Sequence, residues 1–414
     1  MVKKKKKVWL WGSLVLIAVL AVWISSRWNA WFHNPEELPY TPLAVPHRVL
    51  LTFGDDSELS RDVSWQCDTV LYPSHLELRS LTDSTTQMVE AKGEVFRSRQ
   101  GQAAFYVARL RNLKPGQHYV YRVVTDGKAS SWYDFHTYPE HRDEVEFLYV
   151  GDVQDTLGGM ANQIMRQALQ RHPQCEFLVC GGDFVERPTN QHWDIAFNDI
   201  DSIAQHIPML CVTGNHDYLK GIIMQLERRF TLTFPYFLDS KIGDNHVYAL
   251  CYGPIQFFLL DSNRELPHLV TQRSWLKEQL EKSKAKWKIV VLHHPLYSIR
   301  GKNNNLIQRY MFDDLIQDYH VDLVLQGHEH AYGRMTLTSD DSQFTTLYTI
   351  SHCSPKNYRI SDSAEERFEK IGAEGRYYQT VSVKGDTLTM VAYEASQHTR
   401  FDSLAVIKKD NCPQ

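Results

Sequence analysis

Hydrophobic and polar residues alternate along the segment that follows the N-terminal region of the chain. Alternation with a period of two is typical of strands that bury one face. The turn-forming pairs Pro115-Gly116 and Asp126-Gly127 separate several of these segments. The alternating segments include RVLLTFG, DVSWQC, HLELRSL, AAFYVARL, HYVYRVVT and SWYDFHT. The sequence therefore predicts a β-sandwich over residues 40–140.

From Val145 onward, apolar strands alternate with helical segments. The residues Met160, Ile164, Met165 and Ala168 have the spacing of a buried helix face. Strand-like segments precede and follow this predicted helix, for example EVEFLYVGD, CEFLVCGGD, KWKIVVLHHP and VDLVLQGHEH. Alternating strands and helices indicate a layered α/β domain, which we expect over residues 144–408. Hairpins are predicted at Gly253-Pro254 and Gly385-Asp386.

The N-terminal segment has a different composition. The lysine block Lys3–Lys7 precedes the uncharged stretch Val8–Ile24, which as a helix would span about 25 Å of a hydrocarbon layer of about 30 Å. A cleaved signal peptide is the alternative, but no A-x-A site follows the stretch. The pattern favours residues 1–31 as a cytoplasmic lysine block and an uncleaved single-pass transmembrane anchor. The remainder would then be extracytoplasmic, either periplasmic or extracellular.

Composition narrows the class of protein only modestly. The chain has 414 residues, a formal net charge of −4 and 43% hydrophobic residues, which is typical of a globular protein. Nothing in this balance indicates nucleic-acid binding. The seven cysteines show no C-x-x-C spacing, and their pairing cannot be read from the sequence.

Polar residues able to bind metal follow the apolar strands of the second domain. In open α/β sheets the carboxyl ends of the strands meet, and ligands bind there. Carboxylates, an amide and imidazoles together suit iron, manganese or zinc better than magnesium or calcium. The alternative role for such residues is in turns and helix caps. The strand-end residues are Asp152, Asp183, Asn215, His216, Asp217, His293, His294, His328, Glu329 and His330.

The order GD-x, GD-x-x, GNH-D, H and GH-x-H resembles the calcineurin-like metallophosphoesterases. The preceding segments VSW, LKPGQHYVYRV and SWYDFHT are similar to the fibronectin type III-like N-terminal domain of the purple acid phosphatase branch. The resemblance covers about residues 40–405. It implies a four-layer α/β/β/α sandwich for the second domain and a centre of two divalent or mixed-valence metal ions (Fe, Mn or Zn).

The resemblance also implies a role for each matching residue. Asp152 and His330 would bind the first metal, and Asp183 would bridge both. His216 would contact the substrate phosphate or protonate the leaving group, oriented by Asp217. A metal-bound hydroxide would attack phosphorus in line. The second metal would be held by Asn215, His293 and His328.

Two positions depart from the family pattern. Purple enzymes have a tyrosine where this chain has Glu186, so we expect no purple colour. The wider superfamily usually has a histidine where this chain has Gln154. That residue would ligate through its amide oxygen, bind through water, or leave the first site weak. Phosphate-clamping candidates, each with a surface salt bridge as its alternative role, are Arg187, Arg300 and Arg334.

These features predict a membrane-tethered hydrolase that removes phosphate from phosphate esters. A phosphodiesterase or nucleotidase acting through the same site is one alternative. A membrane-anchored binding or scaffold protein with a decayed metal site is another, and Gln154 and Glu186 keep that interpretation open. The expected partners are the phosphate ester and the membrane, and the sequence does not indicate protein partners or an oligomeric state.

Overall fold

The computed structural model describes residues 2–140, 142–236, 242, 246–301, 304–339 and 344–408. A short 3₁₀ turn covers Asn215–Asp217. The helices in the described residues are α1 (Val2–Phe32), α2 (Met160–Arg171), α3 (Asn190–Asp199), α4 (Arg228–Thr233), α5 (Leu266–Lys282), α6 (Leu306–Asp318) and α7 (Asp362–Glu365).

Helix α1 contains the predicted membrane-spanning stretch. Its segment Trp11–Asn29 has a mean hydropathy of 1.5, and none of it is buried against the rest of the protein. By length and composition the segment is able to cross a membrane, although a signal sequence has the same properties. The helix extends beyond the uncharged run that the sequence marked.

Residues 47–136 form the predicted antiparallel strands. The order along the hydrogen-bonded path is β1-β2-β5-β4-β3-β6-β7, and β8 pairs with β6. The apolar faces of these strands enclose a core that contains Val63, Trp65, Leu76 and Tyr121. The strands are β1 (His47–Phe53), β2 (Arg61–Gln66), β3 (Ser74–Ser80), β4 (Asp83–Arg97), β5 (Gln102–Leu110), β6 (His118–Thr125), β7 (Lys128–Ala129) and β8 (Tyr133–His136).

The second part of the chain contributes strands to two sheets. One sheet continues from β1 in the order β23-β22-β21-β9-β10-β11-β1, and the other has the order β14-β15-β16-β17-β19-β18-β20. A small separate ribbon pairs β12 with β13. The strands are β9 (Glu144–Val150), β10 (Leu178–Cys180), β11 (Met209–Cys211), β12 (Tyr218–Leu219), β13 (Gln225–Leu226), β14 (Tyr248–Tyr252), β15 (Ile255–Leu259), β16 (Trp287–Val291), β17 (Leu323–Gln326), β18 (Tyr332–Thr338), β19 (Thr345–Ile350), β20 (Lys370–Gly372), β21 (Tyr377–Lys384), β22 (Thr387–Glu394) and β23 (Thr399–Ile407).

The two sheets pack face to face, with helices on their outer sides. Alternate residues of one strand point to opposite faces, so Ile289 and Val291 lie in the core between the sheets. Val290, between them in sequence, packs instead in the core that contains residues of α5 and α6. Helices α2 and α3 cover the other sheet, where Met165 and Trp193 are buried. This arrangement confirms the predicted α/β/β/α layers.

The hydrogen-bonded pairing of β1 with β11 was not predicted from the sequence. Thr52 of β1 is the parallel partner of Met209 of β11, so the sheet runs from one part of the chain into the other. Leu50 on one face of β1 packs in the large hydrophobic core of the α/β part. Leu51 on the opposite face packs in the sandwich core. Strand β1 therefore holds the two parts together through both its backbone and its side chains.

Both predicted hairpins are present, and the cysteines that the structure describes form no disulfide. Strand β14 pairs with β15 across Gly253-Pro254, and β21 pairs with β22 across Gly385-Asp386. Within the described part of the chain the cysteines are free, and five of the six are buried. The sixth, Cys251, is exposed.

Candidate metal centre

The predicted strand-end residues converge at one edge of the two sheets. Strands β9, β10 and β11 run parallel in the first sheet, and β16 and β17 run parallel in the second. Their carboxyl ends therefore meet, and the polar side chains that follow them share one buried space. Asp152, Asp183, His328 and His330 all have positive φ, which turns each side chain inward directly after its strand.

Asp183 lies in the middle of the centre. The backbone N–H of His216 donates to its Oδ1 at 2.7 Å, and its Oδ2 lies 3.4 Å from Nε2 of His293. A Cβ on Gly214 would lie 2.0 Å from the backbone nitrogen of Asp183, so only glycine allows this approach. Burial opposes ionisation of Asp183, but the neighbouring His293 and His216 hold its pKa below its usual range.

One group of side chains lies on one side of Asp183. Oδ1 of Asn215 is 2.9 Å from Nδ1 of His328 and 3.1 Å from Nε2 of His293. The other ring nitrogen of His293, Nδ1, donates to the carbonyl oxygen of Gly181 at 3.0 Å. This bond fixes the ring orientation and points Nε2 toward the centre. Amide oxygen and two imidazole nitrogens thus converge on one point.

A second group lies on the other side. Nε2 of Gln154 is 2.9 Å from Nε2 of His330 and 3.5 Å from Oδ2 of Asp183. Oδ1 of Asp152 lies 3.7 Å from Nε2 of His330. Oδ2 of Asp152 accepts a hydrogen bond from the backbone N–H of His328 at 2.7 Å. Asp152, Gln154 and His330 therefore lie together on this side of Asp183.

The donor set fits metal ions. Ligand atoms of Asp152, Asp183 and His293 all lie within 4.8 Å of one another, and the three residues are buried. Among the described residues, neither Oδ1 of Asp152 nor Oε1 of Gln154 has a hydrogen-bond partner. Burial raises the pKa of Asp152 well above its usual range, so ionisation there requires a nearby cation. A bound cation would satisfy both unpaired oxygens.

The structure corrects the role expected for Asp217. Its carboxylate accepts hydrogen bonds from the backbone N–H groups of Gly214 at 2.8 Å and Phe184 at 3.0 Å. Asp217 therefore supports these loops and does not orient His216. Nδ1 of His216 lies 2.7 Å from the carbonyl oxygen of Glu186 and also 2.7 Å from a guanidinium nitrogen of Arg187. Glu186 and Arg187 are therefore the residues that orient His216.

Glu186 is engaged by a residue that the sequence analysis did not single out. Nζ of Lys356 lies 2.6 Å from each carboxylate oxygen of Glu186. Lys356 follows β19, a strand parallel to β17, and its carbonyl oxygen lies 3.3 Å from Nδ1 of His330. The sequence analysis considered polar residues that follow apolar strands. The segment TISHCSPK, which ends at Lys356, also follows an apolar strand, so the same criterion would have included it.

The three arginines considered as phosphate clamps have different surroundings. Arg334 forms ion pairs with Asp402 and Glu369 and is almost fully buried, so its role is to stabilise the fold. Arg187 contacts His216 inside the centre. Arg300 is exposed and stacks over Tyr358, with its guanidinium carbon 4.3 Å from the ring centroid.

Two other strand-end residues have clear partners. The carboxylate of Glu329 accepts from Oγ of Ser298 at 2.6 Å and from the N–H of Ile299 at 2.7 Å, so it supports the loop after β16. Nδ1 of His294 lies 3.0 Å from Oγ of Ser262, and its ring lies 4.3 Å from that of His328. Neither residue belongs to the two groups beside Asp183.

Family comparisons give two matches along the chain. The sequence profile of the calcineurin-like phosphoesterases matches residues 145–332. The profile of the purple acid phosphatase N-terminal domain matches residues 46–137. Together they cover the antiparallel strands and the layered α/β part as far as the start of β18.

Individual relatives are distant. Purple acid phosphatase 23 of Arabidopsis thaliana is 26% identical over 188 residues, which is 43% of this chain and 38% of that relative. Phosphoenolpyruvate phosphatase of Allium cepa is 23% identical over 348 residues, covering 80% of this chain and 70% of the relative. Acid phosphatase type 7 of Danio rerio is 22% identical, covering 78% of this chain and 76% of the relative.

Solved structures show the same fold at low sequence identity. Purple acid phosphatase PPD1 from yellow lupin (Lupinus luteus) seeds has a TM-score of 0.75 at 16% identity, covering 90% of this chain and 77% of that protein. The structure of PhoD has a TM-score of 0.62 at 13% identity, covering 91% of this chain and 94% of that protein.

Proposed function

This chain belongs to the calcineurin-like phosphoesterases and carries the N-terminal domain of the purple acid phosphatases, and we propose that it is a phosphomonoesterase with a two-metal centre. The observation that carries the proposal is the position of Asp183 between two groups of donor atoms. Asp152, Gln154 and His330 would hold one ion, and Asn215, His293 and His328 the other. Asp183 would bridge them.

The bound ions would act as Lewis acids that activate a water molecule and neutralise charge on the phosphoryl oxygens. The protein contributes the fixed geometry, since each ligand is mounted directly after a buried strand. His293 is held by the carbonyl of Gly181, and His328 by its backbone bond to Asp152. Ligands held in this way lose little entropy on binding metal.

His216 is the residue we assign to proton transfer. Its Nδ1 lies 2.7 Å from both the carbonyl oxygen of Glu186 and a guanidinium nitrogen of Arg187, so Nε2 is the nitrogen left to exchange a proton with the leaving group. Burial lowers the pKa of His216, and Arg187 adds to this effect. Leaving groups of high pKa depend most on a proton donor, so replacement of His216 should slow the hydrolysis of their esters most strongly.

An open groove of about 440 Å³ beside the centre would take the alcohol part of the substrate. It is lined by Arg300, Tyr358, Arg359 and the segment that follows them. The ring of Tyr358 lies 4.5 Å from that of His330, so the groove adjoins the first metal group. Arg187 and Arg300 favour a dianionic monoester over a singly charged diester.

We also propose that α1 remains as an uncleaved anchor, with the catalytic domain extracytoplasmic. The side chain of Asn34 donates to the carbonyl oxygen of Lys220 at 2.9 Å and accepts from the N–H of Lys220 at 2.8 Å. Glu37 accepts from Arg229 at 2.6 Å. These bonds fasten the residues after α1 to the catalytic domain, which would hold the domain close to the membrane.

Mass spectrometry of the full chain purified from membranes tests the anchor. An intact N-terminus, with the protein retained in the membrane after alkaline carbonate extraction, is expected. Loss of the residues before Trp31 would identify a cleaved signal peptide instead.

The catalytic proposal is tested with the detergent-purified full chain, using p-nitrophenyl phosphate and bis-p-nitrophenyl phosphate with Mn²⁺, Zn²⁺ or Fe²⁺. We expect faster hydrolysis of the monoester, and a kcat about 10²–10⁴-fold lower in His216→Ala. Asp183→Ala should lose metal and activity together, whereas Asp318→Ala at the exposed end of α6 is the control. Faster diester hydrolysis would indicate a phosphodiesterase. Metal-free, inactive wild-type protein would favour the scaffold alternative.

A further inference from the structure

A second cluster of metal-binding side chains lies outside the catalytic centre. Ligand atoms of His118, Asp134 and His136 all lie within 4.8 Å of one another. These residues belong to β6 and β8, which contribute no ligand to the catalytic centre. The cluster has both imidazole and carboxylate donors, and the proposed phosphomonoesterase activity does not use it.

The strand register explains why these residues meet. His118 and His136 are direct antiparallel partners, and Asp134 lies two residues before His136 on the same face of β8. The opposite face of the two strands carries Tyr119 and Phe135, which are buried in the sandwich core. Core packing therefore fixes the strands and presents the polar face outward as a unit.

The cluster is joined to the layered α/β part by His206. Nδ1 of His206 lies 2.6 Å from Oδ1 of Asp134, and Nε2 of His118 lies 2.8 Å from Oδ2 of the same carboxylate. The hydroxyl of Tyr121 donates to the carbonyl oxygen of Gln205 at 2.7 Å, which fastens this segment beside the strands. One carboxylate thus receives two histidines from two parts of the chain.

We propose that His118, Asp134 and His136 form a structural or regulatory Zn²⁺ site, with His206 holding the carboxylate in position. Zinc prefers tetrahedral nitrogen and oxygen ligands, and two histidines with one carboxylate leave the fourth place to water. Tetrahedral zinc at about 2.0–2.1 Å from its ligands needs donor atoms about 3.4 Å apart. The ligand atoms of the three residues lie within 4.8 Å of one another, so small side-chain movements bring them to this separation.

The degree of exposure suits a site that takes metal from solution. The side chains of His118, Asp134 and His206 are 34%, 43% and 38% exposed. The rings of His118 and His136 are stacked with their centroids 4.0 Å apart, which brings their nitrogen atoms onto the same side of the strands.

Zinc at this place would connect the β6–β8 strands to the segment after α3 through Asp134 and His206. We therefore expect zinc to raise the thermal midpoint of the full chain, because it binds only the folded arrangement. The catalytic rate should change little, since none of the three ligands contacts the catalytic centre.

The test is zinc stoichiometry of the detergent-purified full chain after removal of all metals and reloading with Zn²⁺ alone. We expect about three ions per wild-type chain and about two in His118→Asn/His136→Asn. Asp183→Ala/His293→Ala should retain about one ion per chain, the one bound by His118, Asp134 and His136. Each site would then lose its zinc without affecting the other. His75→Asn is the control, because His75 lies on β3 of the same sandwich and 3.7 Å from Glu77.

Two further variants make the result decisive. His206→Asn should weaken zinc at this site about 10–100-fold, as expected for a residue that orients a ligand. Asp134→Asn preserves the size of the side chain and removes a charged ligand, so it answers the question if the double variant folds poorly. Equal zinc content and an equal zinc-dependent rise in thermal midpoint in wild type and Asp134→Asn would overturn the proposal.

Discussion

Nε2 of Gln154 lies 2.9 Å from Nε2 of His330, with the amide in contact range of Asp183 as well. The wider family resemblance places a histidine where Gln154 lies, and the sequence alone left the role of this glutamine open. Its other amide atom, Oε1, is buried and has no hydrogen-bond partner among the described residues. Rotation of the amide would bring that oxygen to the point on which His330 and Asp183 converge.

Replacement of Gln154 tests whether it completes the first metal group. Gln154→Ala should lower the affinity for one ion about 10–100-fold and reduce kcat/KM, because a buried donor is lost. Gln154→His should retain metal, since imidazole is the stronger ligand. Metal titration followed by activity measurement distinguishes the two variants, and Gln163→Ala on the exposed face of α2 is the control. Unchanged affinity in Gln154→Ala would show that the amide is not a ligand.

Removal of Arg300 should weaken substrate binding. Its guanidinium stacks on Tyr358 at the mouth of the centre, where it attracts a phosphate dianion. We expect Arg300→Ala to raise KM about tenfold with a smaller effect on kcat, and the difference from wild type should shrink at high salt. Steady-state kinetics at two ionic strengths measures this, with exposed Arg166→Ala as the control. An unaltered KM would leave Arg300 without a role in binding.

Loss of the Glu37 carboxylate should destabilise the fold. The side chain of Glu37 is fully buried and pairs with Arg229, which is only 4% exposed. Glu37→Gln removes one of the two buried carboxylates that pair with Arg229, the other being that of Glu227, and should cost about 1–3 kcal/mol. Urea unfolding of the full chain measures the change, and Glu36→Gln at an exposed neighbouring position should have no effect. Equal unfolding midpoints in the two variants would contradict this account.

His246 should make the fold sensitive to mild acid. Burial lowers its pKa from 6.5 to about 3, and Arg228 adds to this effect. Between these two pH values the unfolded chain binds a proton that the folded chain does not, so stability falls by about 1.4 kcal/mol per pH unit as pH falls. Above pH 6.5 the residue is neutral in both states and contributes no pH dependence.

The comparison that isolates this effect uses the metal-free full chain at pH 7 and pH 5. Wild type should lose about 2 kcal/mol more than His246→Phe over this interval. The ring of His246 packs against Phe230 and Tyr236, so phenylalanine suits the site. The same acid-induced drop in thermal midpoint for both proteins would mean that another group is responsible.

The sequence indicated which polar side chains come together because of where they lie along the chain. Asp152, Asp183 and His293 each follow an apolar strand directly, and parallel strands bring their carboxyl ends together without any detailed knowledge of side-chain packing. The family resemblance then divided the residues between two ions. The same rule applied to the end of β19 would have drawn attention to Lys356.

Features that depend on local turns or on distant pairing were harder to predict. His216 and Asp217 are adjacent in sequence, but the short 3₁₀ turn directs the carboxylate of Asp217 to backbone N–H groups. The pairing of β1 with β11 joins residues far apart along the chain. The His118, Asp134 and His136 cluster needs the cross-strand register of β6 and β8, which alternation alone does not give.

The central claim is that Asp183 bridges two ions, and anomalous diffraction from crystals of the manganese-loaded protein tests it most directly. Two peaks about 3.5–4 Å apart are expected, one beside Asp152 and His330 and the other beside His293 and His328, with Asp183 between them. A map without density at this place, while the crystals hold manganese elsewhere, would contradict the account.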